Sequence, residues 1–329
     1  MPHKIVMLNC QSNMKRIWLL VLGCLIACIA LAATVFADLD KGMKAYENKD
    51  FKTAFSEFKK AAELGDARSQ YMLAVMYDNG EGTPVNKAEA LKWYKKAAEL
   101  GDAEAQYNLA LMYDNGEGTP VNKAEAFKWY KKAAEQGFAG AQNNLAFMYN
   151  NGEGTPVNKA EAFKWYKKAA EQGDAEAQYN LAVMYSKGEG TPVNKAEAFK
   201  WYKKAAEQGF AGAQYNLAFM YDNGGGTPVN KAEALKWYKK AADQGDAAAQ
   251  HNLTVMYYNG EGTPVNKAEA FKWYKKAAEQ GEANAQNNLA FMYNKGEGTP
   301  VNKAEALKWY NKAAEQGFEL AKEALKKIQ

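Results

Sequence analysis

The sequence predicts an all-α protein built from 36-residue helix-turn-helix repeats, and three observations carry the prediction. Tryptophan recurs at Trp93, Trp129, Trp165, Trp201, Trp237, Trp273 and Trp309, every step being 36 residues. Thr-Pro recurs at the same interval from Thr83-Pro84 to Thr299-Pro300. Within each period, apolar residues fall at helical spacing on two stretches separated by a glycine- and proline-bearing loop. Seven units are complete: 66–101, 102–137, 138–173, 174–209, 210–245, 246–281 and 282–317. Residues 38–65 read as a shorter opening unit without the Thr-Pro loop, and 318–329 as a closing helix; atypical ends are expected where a stack must meet water.

The 102–137 unit shows why each period makes two helices. Ala105, Leu109, Met112 and Tyr113 share one face of a first helix, helix A. Asn115-Gly116 stops it, because glycine enters the left-handed region without a Cβ clash. Pro120 lacks an amide hydrogen and disfavours helix at Thr119, which keeps the connection extended. Asn122 then caps helix B. Glu125 is placed to return the bond as in a capping box, and Val121 with Ala126 to form a hydrophobic staple. Ala126, Trp129, Tyr130, Ala133 and Ala134 mark one stripe, Lys131 and Lys132 sit near the negative end of the dipole, and Gly137 closes the helix. Neither helix can bury its stripe alone, so the repeats must stack.

Composition narrows the function. A hydrophobic fraction of 47% with 24% charged residues is ordinary globular usage, neither a disordered tail nor a polytopic membrane protein. The net charge of +4 comes largely from Lys4, Lys15 and Arg16; without these three, 39 basic residues face 38 acidic ones. Such a balanced, interspersed surface lacks the footprint of a nucleic-acid binder. The cysteines, Cys10, Cys24 and Cys28, all precede residue 29, leaving the repeats no disulfide framework and no thiolate metal site.

The N-terminal segment 1–37 reads as an export signal or anchor. Met14-Lys15-Arg16 is a basic start, Ile17 to Ala37 is apolar, and Val35-Phe36-Ala37 suits cleavage before Asp38. Two other readings stay open: an uncleaved anchor, since 21 apolar residues can cross a bilayer, and lipidation of Cys28 in Leu25-Ile26-Ala27-Cys28. Either Met1 or Met14 can be the start. All of these place the repeats outside the cytoplasm, in the periplasm or secreted.

The run Ala-Gln-Tyr-Asn-Leu-Ala-Val-Met-Tyr (177–185), the loop Gly-Glu-Gly-Thr-Pro (188–192) and Lys-Ala-Glu-Ala-Phe-Lys-Trp-Tyr-Lys-Lys-Ala-Ala-Glu-Gln-Gly (195–209) resemble Sel1-like repeats, relatives of the tetratricopeptide repeat. The resemblance spans about 66–317. It implies a right-handed α/α solenoid with helix A on the concave side, acting as an adaptor that holds other proteins. A cysteine-rich bacterial branch of the family, associated with β-lactams, staples its repeats with disulfides. These repeats contain no cysteine, so that branch's properties do not carry over.

Comparing the units with one another locates a candidate site. Most columns hardly change; those that do share one face of helix A, at spacings of three and four. The Arg68 column reads Arg, Glu, Gly, Glu, Gly, Ala, Asn. Three more columns make up the predicted partner-binding surface. They are Tyr71, Tyr107, Asn143, Tyr179, Tyr215, His251 and Asn287; Val75, Leu111, Phe147, Val183, Phe219, Val255 and Phe291; and Asp78, Asp114, Asn150, Ser186, Asp222, Tyr258 and Asn294. A stripe free to diverge is not needed for stacking and faces solvent or a ligand. Its large side chains, Phe147, Phe219, Phe291 and Tyr258, are of the kind recognition surfaces use as anchors. The asparagines bordering it (Asn108, Asn144, Asn180, Asn216, Asn252, Asn288) are read either as peptide clamps or as caps of a neighbouring helix.

Other signals point to no chemistry. Ser56-Glu57-Phe58-Lys59 fits a Ser-x-x-Lys pattern but lacks its partner motifs. His251 stands alone. The glycine loop 115–120 lacks the Gly-Lys-Ser/Thr ending of a phosphate cradle, and Asp114 with Glu117 does not match a calcium loop. Asn252-Leu253-Thr254 is a glycosylation triplet in mid-helix. The expectation is therefore a non-catalytic, monomeric scaffold without cofactor or metal. It would bind a peptide or protein in its inner groove and meet a membrane only through the anchor or Cys28. A cell-envelope protein acting on peptidoglycan or β-lactams, and a glycan-binding module, are the alternatives.

Overall fold

The structure, a computed structural model, describes residues 34–328, so the signal-like segment up to residue 33, with all three cysteines, lies outside it. The described residues form an all-α solenoid of helix pairs. They contain no helix long and apolar enough to cross a membrane.

Two compact units divide the chain, Met1–Val157 and Asn158–Gln329. In the first, residues 34–47 are helical and precede Phe51–Glu63, Ala67–Asn79, Lys87–Glu99, Ala103–Asn115, Lys123–Glu135 and Ala139–Asn151. The second runs from Lys159–Glu171 through Ala175–Lys187, Lys195–Glu207, Ala211–Asn223, Lys231–Asp243, Ala247–Asn259, Lys267–Glu279, Ala283–Lys295 and Lys303–Glu315 to a last helix, Glu319–Ile328. From Phe51–Glu63 onward, consecutive helices within each unit pack on one another.

Local chemistry sets the helix ends. Helix A of 102–137 begins at Asp102, whose carboxylate accepts from the Ala105 amide at 2.8 Å. It ends at Gly116, in the left-handed region (φ 76°), whose N–H donates to the Met112 carbonyl. Asn122 caps helix B by accepting from the Glu125 amide at 3.1 Å. The expected capping box does not close, for a reason visible in the backbone. The Asn122 N–H is already given to the Tyr113 carbonyl at 2.8 Å, so Glu125 turns to Lys128 instead, at 2.6 Å. Nor does the staple form: Val121 stays 58% exposed and lies against Gly116.

The core is a layered stack. In helix B, Ala126, Trp129, Tyr130, Ala133 and Ala134 are buried; in helix A, Ala105, Leu109, Ala110 and Met112 are. Alanines let the helix axes approach while the aromatic rings fill the remaining volume. Each buried tryptophan also carries a lysine from one turn on, such as Lys132 at 4.1 Å from the Trp129 ring and Lys204 at 4.0 Å from Trp201.

A glutamine ladder completes the stack and was not foreseen. Gln106 is buried and donates to the Ala98 carbonyl of the preceding helix at 3.1 Å; Gln136, at the end of helix B of the same repeat, donates to the Gln106 side chain at 2.8 Å and to the Gly101 carbonyl at 2.9 Å. Gln178 and Gln208 repeat the arrangement in the second unit. Gln106 and Gln178 thus add a second donor to a helix-end carbonyl that already accepts a backbone N–H, from Gly101 or Gly173.

Candidate functional site

The predicted columns lie along helix A, between the tyrosines of helix B and the loop that enters the next helix B. That loop is pinned by its second glycine. A Cβ at Gly118 would collide with the Lys87 carbonyl of the preceding repeat, and one at Gly190 with the Lys159 carbonyl. The loop of one repeat thus rests on the first turn of helix B in the repeat before, bringing a loop glutamate to the lysine that opens that helix.

An ion-pair row results. Lys87 reaches Asp78 of its own repeat at 2.7 Å and Glu117 of the next at 2.8 Å. Lys123 does the same with Asp114 at 2.7 Å and Glu153 at 3.0 Å, and Lys231 with Asp222 at 2.6 Å and Glu261 at 2.9 Å. Lys159 meets Glu189 at 2.9 Å and Lys267 meets Glu297 at 2.8 Å. Hydrogen bonds from these lysines hold the Glu117, Glu189, Glu261 and Glu297 carboxyls below the usual carboxylate range.

The three columns fare differently. The first takes part in packing: Tyr71, Tyr107, Tyr179 and Tyr215 are partly buried, each 5.8–5.9 Å from the helix B tyrosine of its own repeat. Tyr107 and Tyr179 also touch Phe138 and Phe210 of the next repeat. Asn143 is buried, Asn287 is partly buried and His251 is exposed. In the second column Val75, Leu111, Val183 and Val255 are partly buried, whereas Phe147, Phe219 and Phe291 stand 44%, 50% and 39% exposed. In the third, Asp78, Asp114 and Asp222 belong to the ion-pair row, Tyr258 donates its hydroxyl to Glu297 at 2.6 Å, Asn150 bonds Asn151, and Ser186 and Asn294 are partly buried.

Predicted residues come together in hollows of the second unit. One of about 400 Å³ is lined by Tyr258, Asn287, Asn288, Phe291 and Met292, with Tyr274 and Tyr310 from helix B. A second, about 280 Å³, gathers Ser186, Lys195, Tyr202, Asn216 and Phe219. A third, about 220 Å³, joins Tyr179, Val183 and Ser186. Burial pushes the Tyr202 and Tyr274 phenols up, keeping both neutral at physiological pH. Of the bordering asparagines, Asn216 donates to its own Gly212 carbonyl at 2.8 Å and Asn288 to the Asn284 side chain at 3.1 Å, and both line the hollows. Lys195 and the rest of its row were missed in the sequence because each lysine–glutamate pair is 30 residues apart.

A family model described as Sel1 repeat matches residues 41–66, 67–102, 103–138, 139–174, 175–210, 211–246, 247–282 and 283–318. No curated protein matches the chain. Among solved structures it is similar to a protective antigen present in uropathogenic Escherichia coli strains and displaying an SLR fold, with 39% identity and a TM-score of 0.79. That match covers 82% of this chain and 58% of the antigen, so the chain spans little more than half the antigen's length. It is also similar to a Sel1 repeat protein from Oxalobacter formigenes, with 34% identity and a TM-score of 0.68 over 90% of this chain and 87% of the other. Proteins built of such repeats are generally non-catalytic scaffolds for protein–protein interaction. With consecutive repeat matches running from residue 41 to residue 318, the chain belongs to the Sel1 repeat family.

Proposed function

We propose that the protein holds a peptide or an extended segment of a partner protein against the helix A face, without acting on it chemically. One observation carries this reading: Phe219 and Phe291, 50% and 39% exposed, each line a hollow beside side-chain amides. A phenylalanine left about half exposed keeps apolar area in water; covered by a partner, it buries that area and supplies an anchor. Phe147, 44% exposed in the first unit, offers a further anchor. Binding is then the sum of modest contacts over several repeats. The basic start and apolar run of residues 14–37 support export, with a monomer at work outside the cytoplasm.

The test is a peptide array read with the full chain. Phe219→Ala combined with Phe291→Ala is expected to weaken capture about tenfold or more, as the loss of two anchors should, while leaving helicity and melting unchanged. Equal capture by the double variant would remove the proposed surface.

A further inference from the structure

Every lysine that opens a helix B and is followed by another repeat has an acidic partner, with one exception among the described residues. Lys87, Lys123 and Lys231 have two each; Lys159, with Asn150 in place of aspartate, keeps Glu189; and Lys267, with Tyr258 there, keeps Glu297. Around Lys195 both acids are replaced at once: Ser186 stands in the aspartate column and Gly225 in the glutamate column. Lys195 is exposed, whereas those five lysines are partly covered. It lines the 280 Å³ hollow together with Ser186, Gly225 and the exposed Phe219.

The fold does not demand this vacancy. Gly224 and Gly226 need glycine, at φ 76° and 80°, and a Cβ at Gly226 would strike the Lys195 carbonyl. Gly225 has no such restriction; a Cβ there would meet Met220 at 3.4–3.6 Å, ordinary contact. A glutamate fits position 225 as it fits 117, 153, 189, 261 and 297, so its absence opens a site without relieving strain.

Resting on the binding reading above, we propose that Lys195 receives a glutamate or aspartate side chain of the bound peptide, next to an apolar residue seated on Phe219. The molecule already displays the chemistry: Glu261 on Lys231, at 2.9 Å, is the contact the peptide carboxylate would make. Charge complementarity selects one carboxylate instead of a polyanion, because the flanking lysines of the row, Lys159 and Lys231, are neutralised by Glu189, Glu261 and Asp222. Among the described lysines of this row that are followed by another repeat, a phosphate backbone would find Lys195 alone without an acidic partner, where it needs a line of them.

The experiment measures binding of the full chain to short synthetic peptides carrying one glutamate beside leucine or phenylalanine, each with a glutamine twin. The glutamate peptides are expected to bind about tenfold more tightly at low salt, an advantage that shrinks as salt is raised. Lys195→Gln should erase the preference, and so should Gly225→Glu, which seats the protein's own carboxylate on Lys195 while keeping the wild-type melting temperature or slightly raising it. Lys231→Gln should leave the preference intact. A preference that survives both Lys195→Gln and Gly225→Glu, or peptides that bind with no preference in the parent protein, overturns this inference alone. Failure of every peptide to bind overturns the groove reading with it.

Discussion

Lys123 and Lys195 hold the same place in two repeats, each opening a helix B capped by an asparagine, Asn122 or Asn194, in the same way. Around Lys123 the position is closed by Asp114 and Glu153; around Lys195 it is open, and an exposed Phe219 faces the opening. Tryptophan, tyrosine and alanine are buried alike in both helices. The difference teaches that ion pairs on this row are optional for stacking. Exposed pairs are worth about 0–1 kcal/mol, against several for a buried aromatic side chain. A repeat can therefore lose its acids, and gain a site, without losing its fold.

The comparison can be broken most forcefully in the part both repeats share. Trp129→Ala and Trp201→Ala, at residues each 8% exposed, should cost a similar amount, about 3–5 kcal/mol, in chemical denaturation of the unit concerned. A much smaller loss at Trp201 would mean that the open repeat is packed differently after all. Next in size comes the glutamine ladder. Gln106→Leu and Gln178→Leu each remove a buried hydrogen bond to a helix-end carbonyl and should cost about 0.5–1.5 kcal/mol. Indifference to both would show these bonds to be incidental.

Smaller still, Asp114→Ser with Glu153→Gln should change stability by less than about 1 kcal/mol, turning Lys123 into a copy of Lys195. The sharper readout is a new binding preference for glutamate peptides. The smallest effect is on pH dependence. Lysine contacts depress the folded pKa of Glu117, Glu189 and Glu261, so their stabilisation is fully present above the unfolded value, about 4.3. It is lost as pH falls through the folded pKa. Melting temperatures from about pH 5 down to about pH 3 should fall less steeply in Glu261→Gln than in the parent. Gly225→Glu should steepen the fall, and parallel curves for all three would leave the row electrostatically silent.

Much of this was legible in the chain because it is local. Gly116, Asn122 and Pro120 announce a helix end, a cap and an extended link within eight residues, and the Trp129 stripe follows from helical spacing. The capping box failed because its donor was spoken for by Tyr113, a contact across the loop. Gln106 carried a signal that was overlooked: a glutamine recurs in every repeat three residues before the buried leucine, on the core face. The tyrosine column varied enough to suggest a free surface, yet Tyr107 and Tyr179 pack on the next repeat, because a ring large enough to bind a ligand is also large enough to reach a neighbour.

What the amino-acid order determined by itself is the unit: two capped helices, their buried stripes, and a period that obliges neighbours to stack, since turns and caps act over three or four residues. Which surface residues are neutralised, and which one is left to meet something else, was decided only by tertiary structure. The glutamate that answers Lys123 comes from a loop 30 residues away, where the loop facing Lys195 carries Gly225, and whether a charge is answered depends on what the folded chain brings beside it.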